Sequence, residues 1–271
     1  MNKGVPVLEP SEHQPIIIVK NLTQRFGNNT VFEDVSFEVY KGEVLVIVGG
    51  SGCGKSTLLK IMIGLQKPYA GQVLYQGMDI TRASDEDLND YRQNIGVLFQ
   101  SSALFSSMTI KENIALPLSE YTDLDPGTID NIIKMKLGMV NLAGYEDHYP
   151  SELSGGMKKR AGIARAMALD PRVLFLDELS AGLDPITAVE LDDLIIKTNE
   201  ALRTTMVIVS HELESIYKIA HRVLMLDKEA RGMIAEGKPL ELKEYSADPR
   251  VKSFFLRQLP VDHDEQRLYV S

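Results

Sequence analysis

A glycine-rich stretch that directly follows an apolar run is the feature that most limits how this chain can fold. Residues 44–48 read Val-Leu-Val-Ile-Val, and residues 49–57 read Gly-Gly-Ser-Gly-Cys-Gly-Lys-Ser-Thr. Apolar residues then recur with helical spacing from residue 58 onward. We therefore expect a buried strand, a tight turn and a helix in succession. Because a helix start offers free N–H groups and partial positive charge, this GxxxxGKS pattern predicts a phosphate-binding P-loop.

The P-loop residues have separate predicted roles. Lys55 is expected to reach the β- and γ-phosphates of a nucleotide, Ser56 to bind Mg²⁺ and Thr57 to contact the α-phosphate. Glycines let the backbone approach closely enough to donate its N–H groups. The predicted nucleotide-binding residues of the loop are Gly49, Gly50, Ser51, Gly52, Cys53, Gly54, Lys55, Ser56 and Thr57.

The composition is that of an ordinary globular protein, with 44% hydrophobic and 25% charged residues. Its 29 basic and 38 acidic residues give a net charge of −9, which argues against a nucleic-acid partner. No apolar run approaches the roughly 18 residues of a membrane-spanning helix, and no secretory signal is evident. We therefore expect a cytoplasmic protein that reaches a membrane only through a protein partner. The single cysteine fits a reducing compartment.

Strand and helix patterns alternate along most of the chain. Short apolar runs at 95–99, 173–176, 206–209 and 223–226 predict buried parallel strands in an α/β fold. The pattern of 101–165 is helical throughout and predicts an inserted helical subdomain. We expect a leader over 1–15, one domain over 16–244 and a tail over 245–271.

Polar residues follow the predicted parallel strands at the edge where phosphate ligands bind in such sheets. Asp177 and Glu178 follow one strand, Gln100 another and His211 a third. Asp177 is placed to hold the Mg²⁺ bound by Ser56, and Glu178 to orient or deprotonate water that attacks the γ-phosphate. An acidic pair alone more often marks a solvated turn. Its position relative to the P-loop favours the catalytic interpretation.

A second phosphate-binding helix start is predicted at residues 153–157, Leu-Ser-Gly-Gly-Met, the signature segment. This segment resembles the LSGGQ signature of ATP-binding-cassette (ABC) ATPases, and residues 16–240 resemble that family throughout. The resemblance implies a P-loop NTPase with a RecA-like core, an antiparallel β edge and the inserted helical subdomain. It also implies ATP and Mg²⁺ as cofactors.

The resemblance assigns roles to residues outside the P-loop. Gln100 matches the Q-loop glutamine, which implies a catalytic residue that also binds the metal, and His211 matches the catalytic switch histidine at the γ-phosphate. Asp184 matches the end of the D-loop, residues 180–184, which implies a nucleotide-binding residue. Phe26 matches the aromatic residue that stacks on the base, although an aromatic at a strand end can equally be core. Two residues depart from the family pattern without removing a charge or a nucleophile: Met157 and Leu179.

The family architecture implies a head-to-tail homodimer. Ser154, Gly155 and Gly156 of one chain would close over ATP held by the P-loop of the other. The N–H groups at this helix start can bind the side of the γ-phosphate that the partner's own P-loop does not contact. Dimerisation should therefore depend on ATP.

Residues 97–105, 113–118 and 248–256 resemble ATPases of the Mla type, which serve phospholipid transporters with MCE-domain components. This implies a membrane permease, an MCE-domain lipid-binding protein and a place on the cytoplasmic face of the inner membrane. It also allows a small cytosolic regulatory subunit. Residues 103–105 would either form part of the surface that binds the permease or lie in the hydrophobic core. An amino-acid or lipoprotein transporter, or a cell-division signalling complex, is the alternative.

Cys53 and the tail carry two further expectations. Cys53 lies beside Lys55 at a helix N-terminus, which should favour a reactive thiolate unless the residue merely fills the turn.

In the tail, Val251, Phe254 and Phe255 are spaced for one helix face. They could fray, dock on this chain's own core or dock on a neighbouring subunit, and we expect the neighbour.

Overall fold

Ten strands and nine α-helices form residues 14–257, the part of the chain that the computed structural model describes. The strands are β1 (Pro15–Phe26), β2 (Asn29–Tyr40), β3 (Val44–Gly49), β4 (Ala70–Tyr75), β5 (Met78–Asp79), β6 (Ile95–Leu98), β7 (Val173–Asp177), β8 (Thr205–Val209), β9 (Arg222–Asp227) and β10 (Gly232–Gly237). The helices are α1 (Lys55–Met62), α2 (Asp85–Gln93), α3 (Ile110–Tyr121), α4 (Pro126–Met139), α5 (Gly155–Ala166), α6 (Pro185–Leu202), α7 (Leu213–Ile219), α8 (Pro239–Tyr245) and α9 (Pro249–Leu256). The leader up to residue 13 lies outside the described residues.

A six-stranded sheet with the order β10-β9-β3-β8-β7-β6 forms the centre of the fold. Its strands pair in parallel from β9 to β6, and only β10 is antiparallel, against β9. Parallel strands joined by helices confirm the α/β class. Their carboxyl ends share one edge of the sheet, which brings the P-loop, Gln100, the Asp177–Glu178 pair and His211 to the same side.

Both faces of this sheet are buried. In β3, Val44, Val46 and Val48 belong to one hydrophobic cluster, while Leu45 and Ile47 belong to another. Side chains of a strand alternate between faces, so each face of β3 packs against a separate layer. This accounts for the uninterrupted apolar runs in the sequence, since a strand covered on both sides needs no polar face.

A second, antiparallel sheet covers one of those faces, in the order β2-β1-β4-β5. Its core residues Phe32, Phe37 and Val73 join the cluster that contains α1 and the inner face of the central sheet. The antiparallel part of the predicted architecture is therefore confirmed.

The segment between β6 and β7 contains three α-helices, α3, α4 and α5, and no strand. Each begins at a side-chain cap: Thr109 accepts from Glu112 N at 3.2 Å, Asp125 from Gly127 N at 3.0 Å and Ser154 from Met157 N at 3.3 Å. These helices fit the helical pattern expected over 101–165, and α3 continues through Pro117 to Tyr121.

The tail does not follow the sequence expectation. The expected boundary at 244 falls in the last turn of α8, and α9 packs on this chain's own core. Val251 and Phe255 are 0% and 2% exposed, and the Tyr217 hydroxyl donates to the Phe255 carbonyl oxygen at 3.0 Å. The expectation that these residues dock on a neighbouring subunit is therefore wrong for the described part of the tail. Residues 258–271 lie outside the described residues.

Within residues 14–257, no helix combines the length and apolar character needed to cross a membrane.

Candidate functional site

The P-loop joins β3 to α1 in a conformation that depends on glycine. Gly49 has φ of 144°, and a Cβ there would lie 2.2 Å from the Leu226 carbonyl oxygen. Lys55 folds back over the loop, its Nζ donating to Gly49 O at 2.8 Å and Gly50 O at 3.2 Å. These bonds hold the ammonium beside the start of α1, where a phosphate can exchange for the carbonyl acceptors.

Cys53 does not have the environment expected from the sequence. Its side chain is 0% exposed, and burial raises the pKa of its thiol, with Lys55 acting in the opposite direction. Desolvation disfavours the charged form and here outweighs the nearby ammonium. The prediction of a reactive thiolate is therefore wrong, and Cys53 fills the turn beneath Gly49.

Asp177 ends β7 within reach of Ser56. Burial raises the pKa of the Asp177 carboxyl, opposed by the Lys55 ammonium and by a hydrogen bond from the Ser56 hydroxyl. Its Oδ1 is buried and has no hydrogen-bond partner among the described residues. A buried carboxylate oxygen without a partner is costly unless a ligand completes it. With the Ser56 hydroxyl alongside, this oxygen-rich pair fits a Mg²⁺ ion.

Glu178 and His211 meet directly. His211 Nδ1 lies 2.7 Å from Glu178 Oε2, and Glu178 N donates to Val209 O at 2.9 Å, which ties the two loops together. Glu178 adopts φ of 51°, the left-handed region that disfavours residues with a Cβ. Such strain persists where the surroundings enforce it and is common at functional sites.

The loop after β6, residues 100–105, is held by α5. Lys159 Nζ donates to Gln100 O at 2.5 Å and to Glu178 O at 3.1 Å, and Arg165 donates to Ala103 O at 2.7 Å. Gln100 itself is exposed. The sequence analysis did not single out Lys159. The only signal in the sequence was spacing, because Lys159 lies three residues after Gly156 and four before Ile163, on the helix face that the structure buries.

The signature segment lies at the start of α5. Ser154 and Gly155 are exposed, and Gly156 is buried against α6, where a Cβ would lie 2.3 Å from Thr187 Cγ2. Asp184, at the end of the D-loop, caps α6 by accepting from Thr187 N at 3.0 Å. Among the described residues, no hydrogen bond joins this segment to the P-loop of the same chain.

Phe26 lies at the end of β1, beside the turn that leads into β2. Its ring is 55% exposed, so it is not a core residue. The following strand passes over the P-loop, since a Cβ on Gly54 would lie 2.8 Å from both Val31 Cγ1 and Phe32 Cδ1. The hairpin that carries Phe26 therefore packs against the P-loop.

The geometry combines a phosphate-binding turn, a metal-compatible Ser–Asp pair and a carboxylate next to an imidazole. Those groups come from the ends of β3, β7 and β8. Together they can bind a phosphate chain and activate water for its hydrolysis.

Comparison with protein families supports the same chemistry. A family model described as ABC transporter matches residues 32–181, more than half of the chain. The chain is 41% identical to the intermembrane phospholipid transport system ATP-binding protein MlaF of Haemophilus influenzae, over 89% of this chain and 90% of that protein.

Other relatives have names that indicate different cargo. The probable ribonucleotide transport ATP-binding protein mkl of Mycobacterium leprae is 41% identical, over 88% of this chain and 68% of that protein. The methionine import ATP-binding protein MetN of Geobacillus kaustophilus is 38% identical, over 89% of this chain and 70% of that protein.

Among solved structures, the dimeric structure of a post-hydrolysis state of the ATP-binding cassette MJ0796, bound to ADP and Pi, matches with a TM-score of 0.74 and 30% identity. The match covers 82% of this chain and 98% of that one. The Mla-type resemblance is thus confirmed at the level of sequence similarity. The chain belongs to the ABC transporter family and is an ATP-binding ATPase subunit of that family.

Proposed function

We propose that this chain hydrolyses ATP to drive a membrane permease that moves phospholipid. The observation that carries the lipid assignment is the match to MlaF of Haemophilus influenzae along nearly the full length of both chains. We take residues 16–244 as the catalytic domain, with residues 101–165 as its helical subdomain. The leader over 1–15 and the tail over 245–271 flank it, although α9 packs on the core of that domain.

ATP binding is assigned to the P-loop and the hairpin beside it. The N–H groups of residues 49–57 and the Lys55 ammonium would neutralise the phosphates, and the exposed ring of Phe26 would stack on the base. Ser56, Asp177 and Gln100 would hold Mg²⁺, which when bound neutralises charge on the β- and γ-phosphates.

Glu178 is the proposed general base. Its carboxylate is largely shielded, and the neighbouring imidazole of His211 restricts its orientation. A carboxylate held in place can accept a proton from the attacking water, and His211 can donate a hydrogen bond toward the γ-phosphate.

A homodimer would complete the site. Ser154 and Gly155 are exposed at the start of α5, and among residues 14–257 no hydrogen bond joins them to the P-loop. That helix start can receive the γ-phosphate held by a second copy, which supports an arrangement in which ATP lies between two chains. The dimeric state of the MJ0796 cassette with ADP and Pi is consistent with this proposal.

The permease would dock in a groove of about 530 Å³ between the central sheet and the helical subdomain. The groove is lined by Phe105, Pro117, Tyr121 and Arg165, among others. Phe105 is 49% exposed, whereas Leu104 packs partly against the core. Phe105 is therefore a better probe of docking than Leu104, because changing Leu104 would also disturb the core.

The remaining partners and the location are proposed from the resemblance to ATPases of the Mla type, which the match to MlaF supports. We propose two copies of the chain, two copies of a permease, an MCE-domain lipid-binding protein, and a place on the cytoplasmic side of the inner membrane through the permease. A small cytosolic subunit on the helical region completes the proposed complex. The proposed site binds the nucleotide, so the cargo must be tested on the complex.

The test is to isolate the tagged chain with its membrane partners from detergent-solubilised membranes. Subunits are identified by mass spectrometry, and ATP-dependent movement of labelled phospholipid is measured after reconstitution into vesicles. We expect an MCE-domain protein and lipid movement that Phe105→Asp abolishes. The matched control is Leu65→Asp, since Leu65 is 59% exposed on the loop after α1. An amino-acid permease, or a cell-division membrane protein without a lipid carrier, would overturn the lipid assignment.

A further inference from the structure

A buried lysine links two functional loops through their backbones. Lys159 lies one turn into α5 and is 5% exposed. Its ammonium donates to the carbonyl oxygen of Gln100 at 2.5 Å and to that of Glu178 at 3.1 Å. These carbonyls belong to the loops after β6 and β7, which are neighbouring parallel strands. One side chain therefore spans the two loops that carry the proposed metal-binding glutamine and the proposed base.

The Lys159 ammonium is buried and lies near two carboxylates. Burial lowers the pKa of the Lys159 amine, and the carboxylates of Asp177 and Glu178 oppose this only in part. Hydrogen bonds from a charged donor are stronger than neutral ones, so the two carbonyls are held firmly. A buried ammonium whose two hydrogen bonds both end on main-chain carbonyls costs free energy that an apolar residue would avoid. Its presence needs a reason other than packing.

The helix that carries Lys159 is itself fixed against β6. A Cβ on Gly96 would lie 2.1 Å from the Ala166 carbonyl oxygen, and a Cβ on Gly162 would lie 2.5 Å from Leu98 Cδ1. Because the two backbones are this close, α5 has little room to slide along β6. Lys159 thus extends from a rigid surface, and the same helix begins with the signature segment.

We propose that Lys159 is a positioning residue that fixes the spacing between the Gln100 loop and the Glu178 loop, and so aims the Glu178 carboxylate at its water. The inference rests on the proposed function, because it assumes that Glu178 acts on water. Lys159 acts through backbone carbonyls and need not touch ATP. Its loss should slow the chemical step while leaving nucleotide affinity intact, because misplacement of a catalytic group by a fraction of an ångström lowers rate rather than binding.

The test compares Lys159→Met, which keeps length but removes the donors, with Lys159→Arg, which keeps charge and donors. We measure kcat and KM for ATP in the full-length chain, nucleotide affinity by fluorescence titration, and Tm. Lys159→Met should lower kcat by about tenfold or more with KM and affinity within about twofold. Lys159→Arg should recover a large part of kcat.

Lys136→Met is the matched control. Lys136 is also buried, at 1% exposure, but its ammonium pairs with Asp170 away from the site. Its substitution should lower Tm without a selective effect on kcat. A Lys159→Met chain with kcat within twofold of wild type would overturn the inference, as would Lys159→Arg no better than Lys159→Met.

Glu178→Gln in the same assay separates the inference from the proposed function. Hydrolysis near the wild-type rate in Glu178→Gln would exclude Glu178 as the general base. It would also overturn the inference about Lys159, which depends on that role. An inactive Glu178→Gln beside a normal Lys159→Met would overturn the positioning role alone.

Discussion

His211 Nδ1 lies 2.7 Å from Glu178 Oε2, and this contact joins the loop after β8 to the loop after β7. The carboxylate of Glu178 is thereby oriented by an imidazole that is itself half exposed, at 53%. A half-exposed imidazole on a partly buried carboxylate lies where it can face both a bound nucleotide and a water molecule beside it.

Replacement of His211 with Ala should lower kcat for ATP hydrolysis by about 10²-fold, because it removes the group that orients Glu178 and can stabilise charge on the γ-phosphate. MgATP affinity should change little, as measured by fluorescence titration. His148→Ala is the control, since His148 lies in the helical region and contacts Tyr145. Equal loss of kcat in both variants would contradict the assigned role.

Lys55→Ala should weaken nucleotide binding by roughly 10- to 100-fold, the range expected when a hydrogen-bonding charge is removed from a phosphate site. Its ammonium already lies on the P-loop carbonyls of Gly49 and Gly50. Equilibrium titration measures the effect, with Lys67→Ala as an exposed control on the following loop. Unchanged affinity would show that Lys55 does not face the phosphates.

The sequence predicts the central sheet, and the polar residues at the carboxyl ends of its strands, because each rests on a local pattern. An apolar run of four or five residues identifies a doubly buried strand, and a polar residue after it falls at the carboxyl edge. The strand β10 is different. Its residues, Gly232–Gly237, have glycine at both ends and become a strand by pairing with β9. No expectation covered it.

Cys53, the tail and Lys159 were misjudged or missed because their environments come from distant parts of the chain. Burial of Cys53 depends on how Gly49 packs on β9, and burial of Phe255 depends on the position of α7. The role of Lys159 depends on two carbonyls far along the chain. The sequence around a residue shows the nearby charges and the spacing, but it does not show how strongly the folded chain desolvates that residue.

Cys53 should react slowly with maleimide in the native chain, with or without MgATP, because burial both blocks access and raises the pKa of its thiol. Denaturation should expose it fully. Mass spectrometry of timed labelling reactions measures this. Fast native labelling that MgATP prevents would restore the thiolate interpretation.

Phe255→Ala should destabilise the chain by about 3–5 kcal/mol, the usual cost of removing a buried aromatic side chain. Phe255 contacts Tyr217 and belongs to the main hydrophobic cluster. Chemical denaturation measures the change, with Leu256→Ala as the control because Leu256 is 43% exposed. If the free energy of unfolding were unchanged and self-association were weakened, Phe255 would instead lie at a subunit interface.

The measurement that tests the central claim most directly is the mass of Glu178→Gln in solution with MgATP, taken together with its hydrolysis rate. A glutamine cannot accept the proton from water, so kcat should fall by roughly 10²- to 10⁴-fold while ATP still binds. Light scattering after size exclusion should then find a dimer with MgATP and a monomer without nucleotide. A monomer at saturating MgATP, or hydrolysis near the wild-type rate, would contradict an ATP-dependent dimer with Glu178 as its base.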